Sequence, residues 1–331
     1  MEMGSLGLNL LNEVRTVRGR EYLFRVETSD RPADYLKYER LRNAVWDFPE
    51  DALPGSRNMM SENFFHDGSS LFIGVFAGDG RGGFPLDENH LAGFSYGFVG
   101  VRDRAAGFRD AGNLWFYSQY AGVRPEFEHC GLGAPIKEFQ KKVLLEVFGI
   151  GAVVCTYDPL TGVNAHRNIR RFGMEVLEYR EDTYGAFGGR LNRADIPSDR
   201  FFAIWDLKRE PSRSGFSLEP LLGAGRAVVK SAEIEVAGKS RTCRLDVFEG
   251  LDLSLEADLL LVRIPSDYFE MLRETDTADE RVRRIPLDWR LGTRTAFQTL
   301  FRRGYRVFDF VLSGENPKRN FYVLKRYQDG R

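Results

Sequence analysis

The sequence predicts an α/β (α+β) fold: a mixed, mostly antiparallel sheet followed by a smaller C-terminal α/β domain. Three observations carry that prediction. The strand-like runs "SSLFIGVFAG", "HLAGFSYGFVGV" and "NLWFYSQYAGV" follow one another, and the turn-rich "GDGRGGFPLDENH" joins the first two as a hairpin would. After Val123 the pattern changes to helix, strand, helix, strand, so the sheet is not doubly wound and parallel. Finally, "KREPSRSGFSLEP" gathers proline, serine, glycine and charge, the composition of a domain boundary. The 331 residues therefore divide into 1–208 and 209–331, as a chain too long for one ordinary core should.

The elements follow in order. "EYLFRVET" is rich in aromatic and β-branched residues and reads as a strand. "DRPADYLKYERLRNAVW" places Tyr35, Tyr38, Leu41 and Val45 at helical spacing behind a proline start, and a second short helix is expected over Met59–Phe65. The three strand runs come next. Gly133–Phe148 then reads as a helix with Ile136, Phe139, Val143 and Val147 on one face. "GAVVCTYDP" is a buried-strand pattern, "TGVNAHRNIRRFG" a short helix stopped by Gly173, and "MEVLEYRED" and "DRFFAIWDLKR" are strands. Beyond the boundary, "RAVVKSAEIEV", "TCRLDVFEG" and "ADLLLVRIP" read as strands and "SDYFEMLRETD" as a helix. "LDWRLGTRTAFQTLFRRG" is an amphipathic helix whose stripe of Trp289, Leu291, Phe297, Leu300 and Phe301 faces a core. A closing hairpin, "YRVFDFVL" and "NFYVLKRY", ends the chain.

Composition narrows the function classes. Lys and Arg number 47 against 48 Asp and Glu, a net charge of −1, so no nucleic-acid partner and no anionic membrane surface is expected. Cys130, Cys155 and Cys243 lie far apart without a CxxC pair, and the four histidines have no metal-ligand spacing, so no metal is expected. No apolar run approaches the roughly 18 residues of a membrane span, and "MEMGSLGLNLLNEV" lacks the basic start of a secretion signal. The expected location is the cytoplasm. The 26 phenylalanines imply large cores or an apolar pocket.

One stretch asks for a chemical explanation. In "EHCGLGAPIKEF", Gly131 and Gly133 precede Pro135 at the mouth of a helix. A helix start leaves backbone N–H groups unpaired and partly positive. A phosphate satisfies both if no Cβ blocks its approach, and glycine removes the Cβ. Pro135 lies in the first turn, where its missing N–H costs nothing. Taken alone, these residues fit a plain strand-to-helix turn as well as a phosphate cradle. They form neither a Walker A loop nor a GxGxxG fingerprint.

The surrounding residues resemble a known signature. "GVRPEFEHCGLGAPIKEF" is similar to the acetyl-CoA motif of the GNAT superfamily of N-acyltransferases, V-x-P-x-x-(Q/R)-x-x-G-x-G/A. Val123, Pro125, Gly131 and Gly133 match it, and Glu128 stands where Gln or Arg is usual. "TYDPLTGVNAHRNIRRFGMEVLEY" looks like that family's fifth strand, fourth helix and sixth strand. "PSDRFFAIWDL", "IPSDYFEML" and "GYRVFDFVL" resemble a bacterial subgroup of predicted acetyltransferases with a C-terminal extension. The resemblance implies direct transfer of an acetyl or other acyl group from acyl-CoA, with no metal, to a small-molecule amine. It implies that Ala121, Gly122 and Val123 hold the acyl carbonyl and pantetheine. The amides of Glu128, His129, Cys130, Gly131, Leu132, Gly133 and Ala134 would wrap the diphosphate, and Asn164 would meet the pantetheine. Glu128 should then point away from that phosphate or pair with a base such as Lys137.

Acid–base roles have fewer matches. The tyrosine that protonates the leaving thiolate in many relatives of this type is Ile169 here. Asp158, Tyr157 and Gln119 are the candidate catalytic residues, with Tyr184 as a further phenol; Asp158 also reads as a turn residue before Pro159. Gln119 and Tyr117 alternate with Ala121 and are expected on one face of their strand. "RNIRR" reads as a solvated face or as a contact for the 3′-phosphate of coenzyme A. Ile169 and Glu128 support the alternative of a catalytically inactive GNAT-type binding or regulatory module. The C-terminal domain reads three ways: as a degenerate GNAT-like half, as a completion of the first sheet, or as a cover over the acceptor side.

Overall fold

The computed structural model describes residues 11–29, 31–47, 69–211, 218–313 and 319–327. The helix expected over Met59–Phe65 lies outside them. The chain divides into two compact units, Met1–Cys155 with Asp206–Lys208, and Thr156–Trp205 with Arg209–Arg331. One division falls at the expected 208/209, but residues 156–205, expected in the first domain, cluster with the C-terminal unit. The segment after Cys155 is tied by ion pairs to the C-terminal region: Asp158 to Arg290, Asp199 to Arg294 and Arg170 to Asp309. A composition shift marks a loop, but long-range charge pairs decide which residues fold together.

The first unit is built on strands β1 (Asn12–Val17), β2 (Arg20–Val26), β3 (Ser70–Ala77), β4 (Leu91–Val101) and β5 (Leu114–Val123), each antiparallel to the next. Strand β6 (Ala152–Tyr157) runs parallel to β5, so the sheet is mixed and mostly antiparallel, as expected. β1 was not expected from the sequence. It pairs with β2 through a two-residue turn, Arg18 and Gly19, both at positive φ (51° and 82°), the geometry that suits a right-twisted hairpin.

Helix α1 (Leu36–Trp46) follows the turn Pro32–Tyr35 and lays Tyr38, Leu41 and Val45 against Phe72, Phe76, Phe94 and Tyr96. Three of the 26 phenylalanines lie in this core. Each such buried side chain contributes about 1.5–3 kcal/mol. Helix α2 (Gly133–Val143) buries Ile136, Phe139 and Val143 on the expected face. Val147 leaves that face and is 41% exposed. The cause is a π turn over Leu144–Phe148, whose wider hydrogen-bond spacing rotates the register before Gly149 ends the helix at φ 68°.

The second unit begins within β6. It holds the short helix α3 (Gly162–Ala165), which runs on as a π turn over His166–Arg171, and the antiparallel pair β7 (Glu175–Arg180) and β8 (Arg200–Asp206). After α4 (Glu219–Gly223) come the two-stranded ribbon of β9 (Val229–Ala237) and β10 (Thr242–Leu251), then β11 (Leu259–Ile264). Helices α5 (Tyr268–Glu274) and α6 (Glu280–Arg302) precede the hairpin of β12 (Tyr305–Ser313) and β13 (Arg319–Arg326). β13 lies between β11 and β12. α6 starts well before the predicted "LDWRLG". Asp279 caps it by accepting from the amide of Arg281, and Pro286 sits inside it. Trp289, Phe297 and Leu300 are fully buried as expected, while Leu291 is 39% exposed. Phe201, Phe297 and Tyr322 meet edge to face at 4.8–5.5 Å and centre this core.

Candidate functional site

The site begins where β5 loses its neighbour. β5 and β6 pair only at Phe116↔Val153 and Tyr117↔Val154. From Ser118 to Val123, β5 keeps its ladder to β4, and among the described residues its pairing with β6 does not extend past Tyr117. A bulge at this point aids the divergence. Tyr96 faces Tyr120 and Gly97 faces Ser118, so Gln119 is an extra residue with no partner on β4. The close approach demands glycine at 97, because a Cβ there would lie 2.3 Å from the Tyr117 carbonyl oxygen. The bulge also corrects the expectation of simple alternation. Gln119 and Ala121 are exposed, whereas Tyr117 is half-buried.

Beyond Val123 the chain makes a 3₁₀ turn, Pro125–Phe127, and reaches the glycines. His129 and Gly131 both adopt left-handed φ, 64° and 81°. The amides of Glu128 and Cys130 are used within the loop, donating to the carbonyls of Pro125 and Phe127. The remaining amides differ. Among the described residues, no protein acceptor takes the N–H groups of His129, Gly131, Leu132, Gly133 or Ala134. Ile136 is the first to donate back, to the Leu132 carbonyl, and so starts the α2 ladder. Of the seven amides assigned to the diphosphate by resemblance, two are therefore committed elsewhere and five are open. Amides left open beside alternating left-handed residues make a concave anion-binding surface.

A cation completes this surface, and sequence reasoning did not anticipate it. Arg18, at the tip of the β1–β2 turn, donates from Nη1 to the His129 carbonyl. Its Nε lies 3.3 Å from where a Cβ on Gly131 would stand. A side chain at 131 would thus fill the space between the guanidinium and the loop. The detectable signal was "EVRTVRGREYLFRV", an Arg-Gly pair between two alternating runs. The cradle is braced from behind: Arg15 donates to the Pro135 carbonyl and lies over the rings of Phe24 and Phe139. Burial, with Cys130 beside the hydroxyl as the second cause, raises the Tyr22 pKa. Lys137 is buried in α2, with Nζ 2.6 Å from Ser118 Oγ and 3.2 Å from Gln140 Oε1.

The second unit holds the other sequence candidates, in a different chemical state. Asp158 is buried, and Arg290 grips its two oxygens at 3.0 and 2.5 Å. Arg200 stands 3.5 Å away, and the Leu160 amide donates to Oδ1 at 2.9 Å. Burial alone would raise the Asp158 pKa, but the charges of Arg290 and Arg200 outweigh it and hold the carboxyl below its usual range. So depressed and so occupied, it is a weak base, and its geometry is that of an anchor for the loop into α3. Tyr157 is buried edge-on to Phe201 at 5.8 Å. Tyr184 is exposed and bonds Thr156 Oγ1 at 2.6 Å. Ile169 is buried in the π turn. The Asn164 amide is engaged at both ends, donating to Thr161 Oγ1 and accepting from Arg167. In "RNIRR", Arg170 pairs with Asp309 and Arg167 with Asn164, and the exposed Arg171 lies over the Phe172 ring.

Among the described residues there is no group of three or more His, Cys, Asp or Glu placed to hold a metal, and no helix long and apolar enough to cross a membrane. No family model matches the chain, and no curated protein matches it. Solved structures of acetyltransferases are similar at low identity. The ribosomal-protein-S18-alanine N-acetyltransferase from Escherichia coli is 13% identical, covers 58% of this chain and 99% of its own, and has a TM-score of 0.38. NAA60 from Arabidopsis thaliana, solved with acetyl-CoA, is 12% identical over 57% of this chain and 99% of its own, at 0.39. The spermidine/spermine N-acetyltransferase SpeG from Vibrio cholerae is 10% identical over 56% and 95%, at 0.37. These matches are too distant to assign chemistry. The chain's own mixed sheet, with a bulged β5 parting from a parallel β6, is consistent with the GNAT fold.

Proposed function

We propose that this chain binds an acyl-CoA and transfers its acyl group directly to an amine, as an N-acyltransferase of the GNAT type. The observation that carries the reading is the set of open amides at His129 and Gly131–Ala134, beside the unpaired edge of β5. The diphosphate would take those amides and the Arg18 guanidinium, and Gly131 supplies the space. The acyl arm would run along β5 at Ala121–Val123, where backbone groups can bond the pantetheine and the thioester carbonyl. Coenzyme A is the group these residues fit, because they offer donors and one cation but no metal-ligating cluster. Of the catalytic candidates, Gln119 is the one presented on this edge; Tyr157 and Asp158 are buried in packing and charge pairing.

Binding is tested by calorimetry and thermal melting with acetyl-CoA, since a ligand that binds only the folded state raises the melting temperature by mass action. A melting curve unmoved by millimolar acetyl-CoA removes the proposal. Thiol release measured over a panel of amines then tests transfer. The second reading, a binding module without catalysis, is favoured by one observation: Ile169 occupies the place of the usual acid and is buried. It predicts tight acetyl-CoA binding with no thiol release above the uncatalysed rate.

A further inference from the structure

Four polar side chains are buried between α2 and the sheet of the first unit: Lys137 (4% exposed), Gln140 (0%), Ser95 (0%) and Ser118 (5%). They form one chain of hydrogen bonds. Lys137 Nζ donates to Ser118 Oγ at 2.6 Å and to Gln140 Oε1 at 3.2 Å, and Gln140 Nε2 donates to Ser95 Oγ at 3.3 Å. Burying an ammonium costs several kcal/mol in lost hydration even when it is hydrogen-bonded, and an apolar side chain would hold the helix to the sheet more cheaply. Ile136 and Phe139, on the same helix, do so. The position of Ser118 gives the lysine a purpose. It is the first residue of β5 beyond Tyr117, the last to pair with β6, and it directly precedes the bulged Gln119. Its oxygen already accepts from the ammonium, so its own proton is polarised and available for donation.

We infer that Ser118 and Lys137 are the proton-delivery pair of the acyl transfer, supplying the acid that Ile169 cannot. The inference rests on the acyl-CoA reading above. The amine nitrogen attacks the thioester carbonyl carbon; the C–N bond forms and the C–S bond breaks. The departing sulfur takes the Ser118 hydroxyl proton, and Lys137 Nζ returns a proton to Ser118 Oγ. The proton that the amine loses returns to the lysine, so the cycle ends on amide and free thiol with both side chains restored. Ser118 is the catalytic residue here, and Lys137 acts through it as a positioning and recharging residue.

The test compares Ser118→Ala, Ser118→Thr, Lys137→Met and Lys137→Gln with the parent chain. Acetyl-CoA affinity is read by calorimetry, and thiol release from acetyl-CoA is followed with spermidine as the probe amine and with none. Ser118→Ala and both lysine variants should lose kcat on the order of a hundredfold while keeping KM and the acetyl-CoA Kd. Ser118→Thr, which keeps the hydroxyl, should retain most of the rate. A purely structural role instead predicts unchanged kcat and a higher melting temperature for Lys137→Met, and that pattern overturns the inference. A parent chain that binds acetyl-CoA but never releases thiol also overturns it, while leaving the binding site standing. A parent chain that does not bind acetyl-CoA overturns the reading beneath both. Lys137→Gln, with its polar end, keeps the test decisive if the methionine variant does not fold.

Discussion

The glycine turn of the first unit and the Asp158 cluster of the second are opposites. At the turn, five backbone donors have no acceptor among the described residues, and the Arg18 guanidinium beside them bonds a backbone carbonyl. At Asp158, one carboxylate is held by two arginines and a backbone amide, all buried. The second place has more charge and less chemistry. A buried carboxylate fixed in its ionised form by guanidinium groups neither takes nor gives a proton near neutral pH. Open donors on a rigid loop cost little to keep and lose nothing when a ligand arrives. Functional potential here follows unsatisfied geometry and not the density of titratable residues.

The sharpest way to break that contrast is to remove one member of the charged cluster. Arg290 is fully buried, and its attraction to Asp158 overcomes burial to raise its own pKa. Arg290→Ala leaves Asp158 buried with the Leu160 amide and, as its remaining cation among the described residues, Arg200 at 3.5 Å. We expect a loss of about 3–5 kcal/mol in denaturant-measured stability, because breaking a buried pair strands a charge. If Arg290→Ala melts like the parent, Asp158 is not an anchor and its candidacy as a base reopens.

A second, smaller effect sharpens the comparison through pH. Glu274 accepts from Ser240 Oγ and from the Ser240 amide, and these bonds, first the hydroxyl and then the amide, lower its pKa to about 2 from 4.5. A carboxyl depressed in the folded state stabilises it fully above its unfolded pKa, and that stability is lost as pH falls through the folded pKa. The Glu274 contribution should therefore be complete at pH 5 and fade from pH 4.5 towards 2, the window set by its two values. Ser240→Ala should remove about 1.5 kcal/mol at pH 7 and flatten the fall of melting temperature across that window. An unchanged slope would show that the hydroxyl does not set the shift.

What was readable in the sequence follows the same division. The turn at Gly131 and Pro135 was visible because glycine and proline act on their own backbone. β3, β4 and β5 were visible from short-range patterns. The role of Asp158 was not, because its main partner, Arg290, is 132 positions away in the sequence. The bulge at Gln119 was hidden too, since an extra residue in a strand looks like any other until the partner strand is known. β1 escaped because its side chains alternate between exposed and half-buried and none is fully buried, so it shows no apolar face. Missing β1 meant missing Arg18. The start of α6 was missed in another way: the expected helix begins at Leu287, whereas Asp279 caps α6 at Glu280 and Pro286 lies inside it.

Gly131→Ala tests the open side of the comparison. At φ 81° an alanine is strained by about 1–2 kcal/mol, and its Cβ would press on Arg18 Nε at 3.3 Å. Acetyl-CoA affinity should fall about tenfold, equivalent to about 1.4 kcal/mol, with a modest drop in melting temperature. Strong loss of stability with intact affinity would mean that the glycine serves only the turn.

The smallest expected effect belongs to Arg18, and it separates charge from shape. The guanidinium stands on a hairpin tip at the open edge of the loop, where solvent and salt screen it. Arg18→Gln keeps a donor for the His129 carbonyl and removes the cation. If the amides do most of the holding, acetyl-CoA affinity should fall only about three- to fivefold at low salt, within the roughly 1 kcal/mol of an exposed charge contact. The difference from the parent should shrink towards nothing as ionic strength rises to about 1 M, where the screening length is about 3 Å. Dephosphorylated pantetheine donors, which lack the diphosphate, should not distinguish the two chains at any salt. A gap that persists in high salt, or that appears with those donors, would place Arg18 at the shape of the loop and not at the phosphate, and the amides would then need a different ligand.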